Sequence, residues 1–243
     1  MRHASRRRAP RTRLWRETSG QSDQRPILDV TPTRVKRQVA RRPHRIALPA
    51  RLRIMTETGL RMTADELLRL PDDGKRYELI AGELHEMSPA GGRHGFIGGR
   101  VARRLAAFLD QHPDLGGEIC VADIGFRLAR DPDVVRMPDL AYVAEERLSL
   151  AAEVDGYPEM APDLVVEVVS PGDRASEVQA KADEWLRAGA LLVWVLYPTT
   201  QSAMVYRAGG AAQLLHAEDI LTGEPVLPGF ACRLGDLFRP SAS

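Results

Sequence analysis

The hydrophobic pattern of this 243-residue chain changes character at Thr63. Before that point no apolar period is sustained; after it, short strand-like and helix-like patterns alternate as far as Phe238. Thr63-x-x-Glu66 has the form of a capping box and predicts a short helix in MTADELLRL, stopped by Pro71. In RYELIAGELHEMS two alternating runs flank Ala81-Gly82, which predicts a hairpin. Ile97, Val101, Leu105 and Phe108 recur at helical spacing, with Arg100, Arg103 and Arg104 on the other faces, so residues 93–111 should form a helix packed on a sheet. Strands are then expected at about 118–128, 138–143 and 163–169, a helix at about 175–188, and strands at 191–197 and 203–207. A turn-rich PVLPGF leads to the last apolar residues, Leu237 and Phe238. Hairpins combined with one strand–helix–strand crossover predict an α/β domain over 62–238: a mixed central sheet flanked by helices.

Charge divides the chain at the same place. Residues 1–54 carry 16 basic against 3 acidic residues, a net of +13, and the remainder carries 18 against 30, a net of −12. An Arg-, Pro-, Ser- and Thr-rich segment of this kind is expected to be disordered. Such a basic arm would bind nucleic acid by neutralising phosphates; the preferred reading is that an upstream start codon has been assigned and that Met55 or Met62 begins the natural protein. No run of eighteen apolar residues occurs, and MRHASRRRAP leads into no apolar core of a signal peptide, so a cytoplasmic protein without a membrane span is expected. Cys120 and Cys232 are too far apart for a CxxC pair and lie among apolar residues, which points to reduced thiols rather than a zinc site.

The chemistry is concentrated in DLVVEVVSPG, which begins at Asp163. Its apolar run is that of a strand covered on both faces, yet Glu167 stands inside it. A carboxylate there costs several kcal/mol unless it is protonated, paired or bound to a metal. A structural salt bridge would satisfy it. So would a cation shared with Asp139, which heads a second strand in RMPDLAYV. Two carboxylates about 4 Å apart repel by roughly 4 kcal/mol at an effective dielectric near 20, so their convergence would demand a cation. Oxygen-only ligands favour a hard ion, Mg²⁺ or Mn²⁺. In the following helix Val178, Ala182 and Trp185 mark the inward stripe, and Lys181 lies at i+3 from Val178 and i−4 from Trp185. Its ammonium is aimed toward the sheet, either to snorkel to solvent or to meet the acids.

The ordered series YELIAGEL, Arg93-His94 at a helix start, RMPDLAYV, PDLVVEVVSPGDRASEVQAKADEWLRAGA and VWVLYP resembles the Uma2 family of restriction endonuclease-like proteins over residues 62–238. That family resembles PD-(D/E)xK nucleases. The resemblance implies a restriction-endonuclease-like mixed sheet with additional β-hairpins and a Mg²⁺- or Mn²⁺-dependent endonuclease. It also implies a nucleic-acid substrate, DNA ahead of RNA, and is compatible with a homodimer. Asp139 and Glu167 would be metal ligands, with the backbone carbonyl of Val168 a third. The lysine usual two residues past the Glu is Val169 here, and Lys181 would replace it from the helix. Glu78 matches the family's acid in YEL and would complete the site; His94 matches its histidine and would position a phosphate or a water.

Trp185 stands where the family often has tyrosine, and Tyr197 precedes Pro198 where an acid is common. Ser170 lacks the GxSxG setting of a nucleophile, and Asp173 is expected to serve the start of the next helix. The glycines from Gly91 to Gly99 lack the GxxxxGK[ST] order of a phosphate loop. A competing reading is a non-catalytic nucleic-acid or protein-binding module on the same fold, motivated by the −12 balance, with Arg100, Arg103 and Arg104 as its basic patch.

Overall fold

The computed structural model describes residues 61–121, 124–152 and 155–239; the basic segment 1–54 and Met55 lie outside them. Helix α1 (Ala64–Leu68) opens on Thr63, whose hydroxyl accepts from the Glu66 N–H while the Glu66 carboxylate accepts from the Thr63 N–H. Strands β1 (Tyr77–Ile80) and β2 (Glu83–Glu86) form the expected hairpin. Ala81 (φ 52°) and Gly82 (φ 81°) both take left-handed backbone between them, the conformation of a type I′ turn whose twist matches the strands.

Helix α2 (Gly92–Gln111) follows. Four glycines within it cost about 1 kcal/mol each relative to alanine. Burial of Ile97, Val101 and Leu105 contributes roughly 1.5–3 kcal/mol per side chain and offsets them, so packing rather than propensity holds this helix.

Strands β3 (Glu118–Val121), β4 (Phe126–Ala129), β5 (Val134–Arg136) and β6 (Leu140–Val143) come next. A 3-10 turn (Glu145–Arg147) and helix α3 (Leu148–Ala152) follow, neither of them expected from the pattern. Strand β7 (Leu164–Val168), helix α4 (Ala175–Arg187) and β8 (Leu192–Tyr197) make the crossover, and β7 and β8 pair in parallel. Strands β9 (Ser202–Arg207), β10 (Ala211–Leu215), β11 (Ile220–Thr222) and β12 (Ala231–Arg233) and helix α5 (Gly235–Phe238) complete the described chain. The main sheet has the order β10-β9-β8-β7-β6-β3, a smaller one β2-β1-β5-β4, and β11 pairs with β12.

One strand expectation is corrected. Residues 118–128 do not form a single strand: β3 pairs with β6 in the main sheet, whereas β4 pairs with β5 in the smaller one. Gly125 marks the departure. A Cβ there would stand 2.6 Å from the Tyr157 ring, so only glycine lets the chain pass.

The main sheet is covered on both faces, which explains the near-continuous apolar runs. Leu164, Val166 and Val168 of β7 pack with Ile97, Val101 and Leu105 of α2. Val165, on the opposite face, packs with Ala182 and Trp185 of α4. Alternation along the strand puts Glu167 on Val165's side, beneath α4. Arg100 and Arg104 do not form a free basic patch: Arg100 donates to the Leu237 carbonyl and Arg104 pairs with Asp236, tying α2 to α5.

Candidate active site

The parallel register aligns Glu167 with Val195, and the antiparallel pair Leu140↔Val166 brings Asp139, one residue earlier, level with Glu167. Both acids therefore stand at one end of the main sheet. The smaller sheet adds Glu78 from β1, and α2 adds His94 from its first turn. These residues and Lys181 of α4 line one cavity of about 550 Å³.

Lys181 is the centre of the arrangement. Its Nζ lies 3.0 Å from one Glu167 oxygen and 3.1 Å from the other, 3.1 Å from Glu78 Oε1, and donates to the Met137 carbonyl at 3.1 Å. Burial works against its charge, but Glu167 and Glu78 outweigh that and hold the ammonium above the ordinary lysine range. Glu167 also accepts from the Trp185 indole N–H at 2.9 Å. Burial pushes its carboxyl up to about 7, against the pull of Lys181 and with the repulsion of Asp139 and Glu78 adding to it. Three carboxylates thus crowd one ammonium.

Glu78 is better satisfied. Its Oε2 accepts from Arg136 at 2.9 Å and its Oε1 from the Met137 N–H at 2.9 Å. Burial opposes ionisation there, but Lys181, Arg136 and that N–H together hold the carboxyl below the ordinary glutamate range. Asp139 Oδ2 accepts from the Val168 N–H at 2.6 Å and lies 3.0 Å from His94 Nε2. The hydrogen bond that the ring donates to Asp139 raises the His94 pKa, against a smaller effect of burial.

Among the described residues, no three or more His, Cys, Asp and Glu side chains are gathered as a ready-made cation cage. Lys181 bridges Glu78 and Glu167, and His94 covers one oxygen of Asp139. The donor chemistry nevertheless suits a hard divalent ion: Glu78, Asp139 and Glu167 all offer carboxylate oxygen to the same pocket.

All five side chains singled out from sequence, Glu78, His94, Asp139, Glu167 and Lys181, line this one cavity. Val168 lines it as well, and the interaction observed is its N–H on Asp139. Three contributors were not among the site residues expected from sequence. Arg136 pairs with Glu78, Glu184 pairs with Arg136 at 2.5 Å, and Trp185 holds Glu167 through its indole nitrogen. Arg136 stood in view in RMPDLAYV, and a charged residue directly after the apolar pair Val134-Val135 was the available signal. Glu184 and Trp185 share a helical face with Lys181. Asp173 accepts from the Ser170 N–H and closes the turn before α4.

A mixed sheet with helices on both faces and an acidic pocket at one end defines a nuclease-like fold. A crystal structure described as "a putative nuclease belonging to DUF820 from Anabaena variabilis" matches it with a TM-score of 0.62 and 20% identity, covering 73% of this chain and 97% of that one. The model of the Uma2 family, described as "Putative restriction endonuclease", matches residues 64–235. The chain belongs to that family. No curated protein matches it. Among the described residues no helix is long and apolar enough to cross a membrane.

Proposed function

We propose that the protein is a metal-dependent endonuclease that hydrolyses phosphodiester bonds, with DNA as substrate ahead of RNA. The observation that carries this reading is the gathering of Glu78, Asp139 and Glu167 in one cavity with Lys181, whose ammonium bridges Glu78 and Glu167. The family's description as a restriction endonuclease supports the choice of DNA. Free Cys120 and Cys232 agree with a reducing, cytoplasmic setting.

Asp139, Glu167 and the carbonyl of Val168 would hold Mg²⁺ or Mn²⁺, with Glu78 at the edge of the set. When bound, such an ion supplies a water of lowered pKa and offsets phosphate charge. Lys181, kept protonated by its acids, donates to the negative charge that develops on phosphorus oxygens. His94 is held by Asp139 in the lining of the same cavity, where a protonated ring orients a phosphate oxygen. The Trp185 N–H keeps the Glu167 carboxylate turned toward Lys181.

The test is cleavage of plasmid, single-stranded DNA and RNA in Mg²⁺ or Mn²⁺. Asp139→Asn and Lys181→Ala should each lower kcat on the order of 10²–10³-fold, the usual effect of removing one charge-stabilising group. Wild-type rates in both variants would sink the reading. A second reading, a binding module that retains the fold without catalysis, is favoured by the −12 balance of residues 55–243 and by the lack of a preassembled cation cage among the described residues. Calorimetry separates the two: saturable Mg²⁺ or Mn²⁺ binding that disappears in Asp139→Asn supports the nuclease, and its absence from the wild type supports the module.

A further inference from the structure

Arg136 is the last residue of β5 in the smaller sheet, and its guanidinium is buried between acids from two other elements. One nitrogen donates to Glu78 of β1 at 2.9 Å, and Nε donates to Glu184 of α4 at 2.5 Å. The Arg136 and Glu78 side chains are each 9% exposed. Buried ion triads are poor devices for stability, because apolar residues of similar volume serve as well or better. What a planar fork does provide is a fixed geometry between the groups it joins. The two groups joined here are significant. Glu78 is one of the acids on Lys181, and Glu184 lies three residues after Lys181 on the same face of α4. The next residue in the chain, Met137, donates its N–H to Glu78 and accepts from Lys181 through its carbonyl. Arg136 therefore grips both the acid that meets the lysine and the helix that carries the lysine.

We propose that Arg136 is a positioning residue, which clamps the smaller sheet to α4 so that Lys181 is held between Glu78 and Glu167. The catalytic part of this inference rests on the nuclease reading above; the geometric part does not. A lysine at this position keeps the charge but replaces the fork, whose separate nitrogens meet Glu78 and Glu184, by a single ammonium without fixed geometry. The experiment compares Arg136→Lys and Arg136→Met with the wild type in Mg²⁺-dependent cleavage, and determines the crystal structure of Arg136→Met. Misplacing a reacting group by about 1 Å costs on the order of 10²-fold, so kcat should fall toward that extent in both variants while KM stays within about threefold. The Glu78–Lys181 separation should lengthen beyond hydrogen-bonding distance in Arg136→Met. A folded Arg136→Lys with wild-type kcat, or an Arg136→Met structure with the Glu78–Lys181 contact intact, overturns the proposal. If the wild type cleaves nothing, the nuclease reading fails and the crystallographic arm still decides the clamp. Should Arg136→Met not fold, Glu184→Gln replaces it, since it loosens the grip on α4 and leaves the Glu78 contact in place. There a lowered kcat at unchanged melting temperature supports the clamp, and an unchanged kcat overturns it.

Discussion

Lys181 shows how one side chain can organise several incompatible ones. Replacing it with methionine leaves Glu78 and Glu167 buried without their shared cation, and breaking a buried pair from one side costs about 3–5 kcal/mol. Urea unfolding at pH 8 should show a loss of that order for Lys181→Met. A loss below 1 kcal/mol would mean that the acids are satisfied without it. His94 offers a separate check. Because the Asp139 hydrogen bond raises its pKa, its ring should titrate above an ordinary histidine in the metal-free protein, and Asp139→Asn should bring it down. Histidine NMR shifts followed against pH give both values; a ring that titrates identically in the two proteins contradicts the contact.

Among the elements, α2 is held by three buried residues against the cost of its glycines. Gly99 is exposed, helical and faces open space, so a Cβ meets nothing there. Gly99→Ala should stabilise the fold by about 0.5–1 kcal/mol, through helix propensity and a less flexible unfolded chain. Thermal unfolding measures this directly, and a lower melting temperature would show that the bare face of α2 is in use. The β1–β2 hairpin, the capped α1 and the crossover β7–α4–β8 were all legible, because each is specified by neighbours in the chain: a turn pair, a cap, a change of period from two to 3.6. The boundary between β3 and β4 was not. Both have strand-like patterns, and which sheet each joins is decided by contacts outside them: β3 pairs with β6, and Tyr157, well beyond both strands, packs against Gly125 where the chain leaves one sheet for the other.

For the molecule as a whole, the site makes stability depend on pH in two opposed ways. Glu167 has its folded pKa raised above its unfolded value, so native protein binds the extra proton and this residue's contribution falls as pH rises from about 4.5 to about 7. Glu78 is lowered instead; its contribution is complete above the ordinary glutamate range and is lost as pH falls below it. Lys181 is raised, and its contribution persists until strongly alkaline pH. Melting temperatures from pH 4.5 to 7.5 should therefore fall less steeply, or rise more, in Glu167→Gln than in the wild type. Parallel curves would show that Glu167 is already ionised at pH 4.5. Saturating divalent cation should also remove the difference, because a bound ion favours the ionised carboxylate.

Burial along single segments was readable from residue order: a strand apolar on both faces around Glu167, and a helix whose inward stripe carries Lys181. Those patterns follow from periodicity, which local geometry imposes on any chain. Residue order also brought Glu78, His94 and Asp139 into view through their motifs. The hydrogen bonds among them lay beyond it. That Lys181 bridges Glu78 and Glu167, that His94 covers Asp139, and that Arg136 joins β1 to α4 are contacts between residues up to 103 positions apart, as from Lys181 to Glu78. Such pairings arise when two sheets and a helix pack together, and no period along one segment encodes which distant partner its buried charge will meet.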